Sequence, residues 1–150
     1  NGDLAFTVGL MHGIGQLVMH AGTPEQMLKV DKIASPLDPR RSDVEIQSFG
    51  YDFARVGAEL ARQWRFPPAF VEAIAGHVSP LQNVPFDPMA AVLHLAAWRA
   101  RAEFHQLDAA AMAAQVPADV CAALGLSTDV LLKEMPPLAE LCEGLEALIS

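Results

Sequence analysis

The chain has 150 residues, about the size of one ordinary domain, and 52% of them are apolar, which excludes intrinsic disorder. Ten basic residues against a net charge of −8 leave no basic stripe, so a nucleic-acid surface is not expected. Cys121 and Cys142 lie far apart with no CxxC or CxxH spacing, which reads as two reduced thiols, and no run of about eighteen apolar residues is free of polar breaks. No basic region followed by an apolar core opens the chain, so a cytoplasmic protein with no membrane contact is the expectation.

Residues 4–20 are almost all apolar or small, and His12 and His20 are their only titratable side chains. A helix apolar on every side is expected to be central and buried. Gly9, Gly13 and Gly15 within it suggest that a neighbour approaches closely. The next helix opens at TPEQ, with Thr23 as N-cap, Pro24 in the first turn and Gln26 closing a capping box. SPLDPRR is a connector, because Pro36 and Pro39 break what precedes them. A helix then runs through SDVEIQSF to Gly50.

In YDFARVGAELARQWRF the residues Phe53, Val56, Gly57, Leu60, Ala61 and Trp64 recur at helical spacing and predict a core face, with Trp64 as its anchor. Pro67-Pro68 ends that helix and starts AFVEAIAGHV, in which Phe70, Ile74 and His77 align. SPLQNVPFDP is a loop. MAAVLHLAAWRARAEF follows, with a stripe of Met89, Val92, Leu93, Ala96, Ala97, Ala100 and Phe104. Shorter helices are expected near 108–115, 117–124, 127–134 and 137–149. No alternating run is long enough for a strand, and there is no internal repeat, so the fold class is all-α, a compact multi-helix domain over 1–150. One core should hold Phe53, Val56, Leu60, Trp64, Phe70, Ile74, Leu93 and Ala97. The carboxylates Asp38, Asp43, Glu45, Asp52, Glu59 and Glu72 read as solvated helix faces.

Four segments in order, FTVGLMHGIGQLV, FGYDFARVGAELARQWRFPPAFVEAIAGHVSP, AAVLHLAAWRA and ALGLSTDVLLKEM, resemble the HDOD domain, the HD-related output domain of bacterial signalling proteins. The second is the specific one, with Gly50, the run Ala54-Arg55-Val56-Gly57, Trp64, the Pro67-Pro68 turn and His77 in sequence. The resemblance covers most of residues 3–149, and the chain looks like the later part of such a domain. It implies a helical fold related to HD-superfamily metal phosphohydrolases, in which His and Asp side chains hold divalent ions that activate water.

Carried over residue by residue, the His-Asp pair of that superfamily falls on His12 and Gly13, the paired histidines on His77 and Val78, and the later Asp on Ala97, with His94 kept three residues before it. The histidine of the DHA position is Phe53. The resemblance therefore implies a degenerate metal site with no metal, no cofactor and no catalytic residue. Its implied function is non-catalytic regulation, with signalling proteins or an attached signalling domain as partners and the oligomeric state left open. A metal-dependent phosphohydrolase acting on a nucleotide or cyclic dinucleotide is the alternative, and it would need ligands from outside these residues. For His12 and His94 a structural role leads, and His77 is expected to cap a carbonyl at its helix end. His20 and His105 are expected at the surface. Trp98, off the stripe of its helix, is either a partner contact or packing under the C-terminal helices.

Overall fold

A computed structural model describes residues 2–144. Helices account for all regular structure among the described residues, and no strand occurs there. In chain order they are α1 (Gly2–Met11), α2 (Ile14–Gly22), α3 (Pro24–Ile33), α4 (Arg41–Phe49), α5 (Phe53–Gln63), α6 (Pro68–Gly76), α7 (Pro88–Phe104), α8 (Ala109–Gln115), α9 (Ala118–Ala123) and α10 (Leu138–Leu141). A 3₁₀ turn at Pro80–Gln82 and a π-helical turn at Val130–Glu134 complete them. The residues fall into two compact units that divide between His94 and Leu95, inside α7.

The first unit is built around α5, which packs against both α2 and α6, while α1 packs on α6. Its core is Val8, Ala58, Ala61, Phe70, Ala73, Ile74 and Leu93, with Leu4, Met11, Phe66 and Met89 packed against it. The inner face of α5 is made of small residues, Ala54, Gly57, Ala58 and Ala61. The reason lies at Gly15 of α2. A Cβ there would stand 2.7 Å from the Gly57 nitrogen and overlap the Phe53 carbonyl, so the two backbones touch with no side chain between them. That contact admits only Gly and Ala on α5 and rotates its large residues outward. Trp64, expected as a core anchor, is accordingly 56% exposed, and Phe53, Val56 and Leu60 lie at the edge of the core rather than in it.

The segment expected as one buried helix over 4–20 is two helices, broken at His12-Gly13, and only Val8, Gly15 and Met19 in it are buried. Phe6, Leu10 and Leu17 are exposed, the last two by 61% and 67%. By length and composition alone Gly2–Gly22 is apolar enough to cross a membrane, with mean hydropathy 1.3. Thr23 does not cap α3; its hydroxyl donates back to the Met19 carbonyl at 3.0 Å and finishes α2 instead. Gly50 does end α4, at φ +81°, where a side chain would be strained.

In the second unit, α8 starts from Asp108, whose carboxylate accepts from the Ala111 N–H at 2.8 Å, and α9 is ended by Gly125 at φ +69°. Glu103 of α7 accepts from the Leu138 N–H at 2.7 Å and pairs with Arg99 at 2.6 Å. The stripe expected on α7 is rotated: Ala90, Ala91, Leu93, Leu95, Trp98 and Ala102 are buried, while Val92 and Phe104 are exposed. Trp98, only 8% exposed, is buried, which agrees with the packing role rather than the partner contact expected for it. Of the helix expected over 137–149, the part beyond residue 144 lies outside the described residues.

Candidate functional site

Three histidines meet at the helix ends of the first unit. His12 follows the last turn of α1, His77 follows α6, and His94 lies on α7. The His12 and His77 rings stand edge to face with centroids 5.4 Å apart, and Phe53 meets His77 at 5.7 Å. Each ring is held through Nδ1. His12 Nδ1 lies 2.6 Å from the Gly9 carbonyl, His77 Nδ1 2.7 Å from the Ile74 carbonyl, and His94 Nδ1 2.9 Å from the His77 carbonyl. A carbonyl only accepts, so in all three Nδ1 carries a proton and donates it. The sequence expectation that His77 caps a carbonyl is met, but not as a cation on the helix dipole. Burial, reinforced by the neighbouring His12 and His94, lowers its pKa to about 4 against the opposing effects of the Ile74 hydrogen bond and Asp52.

A second, polar cluster positions this site, and the sequence reading missed it by assigning Glu45 and Asp52 to solvated faces. Arg41, Glu45 and Asp52 are buried. Arg41 donates through Nε to Glu45 at 2.6 Å, and through Nη1 to Asp31 at 2.6 Å and to the Ala34 carbonyl at 2.7 Å. Glu45 also accepts the Phe53 N–H at 2.7 Å, and Asp52 accepts from Ser42 at 2.5 Å and from the Arg55 N–H at 3.0 Å. Asp52 is thus the N-cap of α5, and the start of α5 is clamped to α4 so that Phe53 faces His77. The Arg41–Glu45 spacing of four residues is the signal that could have been read as a helical ion pair. His20, expected at the surface, is half-buried and pairs with Asp31 at 3.0 Å. That hydrogen bond, with one to the Gln16 carbonyl, raises the His20 pKa. Burial would raise the Asp31 carboxyl, but its bonds to Arg41 and His20 outweigh burial and hold it below the ordinary range.

A divalent ion of the kind HD phosphohydrolases use needs three or more donors converging, carboxylates among them. The residues here do not fit one. Gly13 has no side chain and only open space where its Cβ would stand, and Val78 follows His77. Ala97, three residues beyond His94 on α7, has no donor atom. Among the described residues no group of three or more His, Cys, Asp or Glu is placed to hold a metal. Trp98, the remaining site candidate, is buried as described above.

The comparisons with known proteins agree with this architecture. A crystal structure of a Shewanella amazonensis SB2B protein, named as a candidate phosphohydrolase, superposes with a TM-score of 0.70 at 26% identity over 92% of this chain and 50% of its own. A Treponema pallidum (strain Nichols) protein of no stated function is 28% identical over 86 residues, 56% of this chain and 16% of that protein. The chain therefore spans about half the length of the solved relative and a small part of the other. The HDOD domain model matches residues 1–80, the segment that contains α1 to α6, His12 and His77, and on that match the chain belongs to the HDOD domain family.

Proposed function

We propose that this domain is a non-catalytic regulatory module that works in signal transduction by binding other signalling proteins or a signalling domain attached to it. The observation that supports this reading most is the composition of the histidine cluster. His12, His77 and His94 each spend Nδ1–H on a main-chain carbonyl, and the positions that would add carboxylates hold Gly13, Val78 and Ala97. Water activation on a metal needs an ion held by converging donors, and this set offers only imidazoles. A cytoplasmic location, and partners that are proteins rather than nucleic acid, belong to the same reading; the net charge of −8 supports the latter.

The second reading, a metal-dependent HD-type phosphohydrolase for a nucleotide or cyclic dinucleotide, is favoured by the name of the Shewanella relative. One experiment separates the two: elemental analysis of untagged protein together with turnover of a generic phosphodiester in added manganese. The regulatory reading expects substoichiometric metal and no turnover. Near-stoichiometric metal with hydrolysis that disappears in His12→Ala would replace it with the hydrolase.

A further inference from the structure

The rotation of α5 that buries its small residues leaves a row of large ones outside. Val56, Leu60 and Trp64 follow one another at four-residue steps along the outer side of α5, and Val56 and Leu60 line an apolar groove of about 370 Å³ with Val18 of α2 and Tyr51. Trp64 and Tyr51 are exposed, by 56% and 41%, and Leu17 beside Val18 is more exposed still. Tyr51, the only tyrosine of the chain, lines the groove, and Trp64 lies one turn beyond Leu60, outside the lining. Tyr and Arg are among the residue types that dominate binding energy at protein interfaces, and both line the groove. Arg55 lines the groove, and no carboxylate pairs with its guanidinium among the described residues. Glu59, also at the rim, is already paired with Arg62. The net local offer is therefore an apolar trough with one uncommitted cation, on a protein that is otherwise acidic.

We propose that this α2–α5 groove docks an amphipathic helix of another polypeptide, which lays an apolar stripe between Val18 and Leu60 and presents an Asp or Glu to Arg55. The proposal rests on the regulatory reading above and names the chemistry of its partner. A groove walled by two helices fits a helix better than an extended strand, because α5 exposes no sheet edge for main-chain pairing. The α5 residues that line the groove run from Arg55 to Gln63, about 12 Å of helix axis, which matches about two turns of a docked helix. Charge complementarity fixes the sense: a partner stripe flanked by Lys would meet Arg55 unfavourably, and one flanked by a carboxylate would be held.

The test is selection of a displayed library of amphipathic helical peptides on the full chain, followed by binding of the synthesised consensus peptide. The expected consensus has apolar residues at i, i+3 or i+4 and i+7, with Asp or Glu within a turn of them. Binding should weaken about tenfold or more in Leu60→Glu and in Arg55→Glu. The Arg55→Glu loss should be recovered by the peptide with its carboxylate changed to Lys. Arg55 is a surface side chain, so this variant keeps the fold whatever Leu60→Glu does, and a thermal melt checks both. Peptides that bind equally well to the groove variants would overturn the groove while leaving a protein-binding module. Failure to enrich any peptide, with or without a self-association that Leu60→Glu abolishes in sedimentation, would overturn the proposal; in the second case the occupant is another copy of this chain. Hydrolysis in the phosphodiester assay is the separate result that removes the regulatory reading itself.

Discussion

Gly15→Ala is the sharpest test of how the first unit is built. Alanine is the better helix former, by up to about 1 kcal/mol in a helix interior, so propensity alone says the change stabilises α2. The structure says otherwise. The added Cβ would lie 2.7 Å from the Gly57 nitrogen and 2.8 Å from the Phe53 carbonyl carbon, and both are main chain that cannot rotate away. Helices α2 and α5 must part, and forced overpacking of this kind costs about 1–3 kcal/mol, so a loss of up to about 2 kcal/mol remains once about 1 kcal/mol of propensity is subtracted. Gly9→Ala is the internal control. It makes the same chemical change on α1, where a new Cβ meets nothing within 4 Å, and should be neutral or stabilising by up to about 1 kcal/mol. Urea titration of both variants against the parent reads the difference through the midpoint, provided the slope is unchanged. A Gly15→Ala protein as stable as Gly9→Ala would refute the main-chain contact and with it the account of why α5 turns its small face inward.

Glu45→Ala leaves Arg41 short of a partner in a buried site and the Phe53 N–H without its acceptor, and should cost about 3–5 kcal/mol by denaturant titration; Glu45→Gln, which can still accept from Phe53, should cost less. Trp64→Ala should change stability by under about 1 kcal/mol, because a side chain 56% exposed leaves no cavity, and a loss of 3 kcal/mol or more would return Trp64 to the core. For His77 the folded pKa of about 4 lies below the unfolded 6.5, so the unfolded state binds the extra proton between them. Its contribution to stability is complete above the unfolded pKa and is lost as pH falls towards 4, by about 3 kcal/mol across the window. His20 works in the opposite sense: its raised pKa gives stability at low pH that is lost as pH rises through the folded value, and partial exposure keeps that term small. Stability measured from pH 7 to 4 should therefore fall more steeply in the parent than in His77→Gln, and equal slopes would refute the assignment.

The helices, their order and most of their ends were legible in the sequence, because Pro24, Gly50, Pro67-Pro68 and Gly125 punctuate the chain chemically. What was not legible was which way each helix faces. On α5 the three- and four-residue spacing fits two stripes, one through Val56, Leu60 and Trp64 and one through Ala54, Ala58 and Ala61, and hydrophobicity favours the first. The choice is made by Gly15, on a different helix, whose close approach admits only the second. The same failure rotated the stripe of α7. At the site, the matching positions of His12, Gly13 and His77 were readable from the motif, whereas the burial of Glu45 and Asp52 was not. A carboxylate on a helix reads as solvated until the arginine that meets it is placed; Arg41 joins Asp31 of α3 to Glu45 of α4, and Glu45 in turn holds the Phe53 N–H at the start of α5.

The histidine cluster has physical work to do without any ion. A helix leaves its last four carbonyls without main-chain partners, and buried carbonyls of that kind must find donors. His12 Nδ1–H serves the Gly9 carbonyl in the last turn of α1, and His77 Nδ1–H serves Ile74 in the last turn of α6. His94 Nδ1–H then serves the carbonyl of His77 itself, tying α7 to the end of α6. Imidazole suits these places because it donates from one edge while its ring fills apolar space against Phe53 and the neighbouring histidine. A hydrolase needs the other edge of each ring as well, with carboxylates to complete the sphere, and the residues that follow His12 and His77 in the chain are Gly13 and Val78. The two jobs of the histidines are chemically separable, because capping uses Nδ1–H and ligation of an ion would use Nε2.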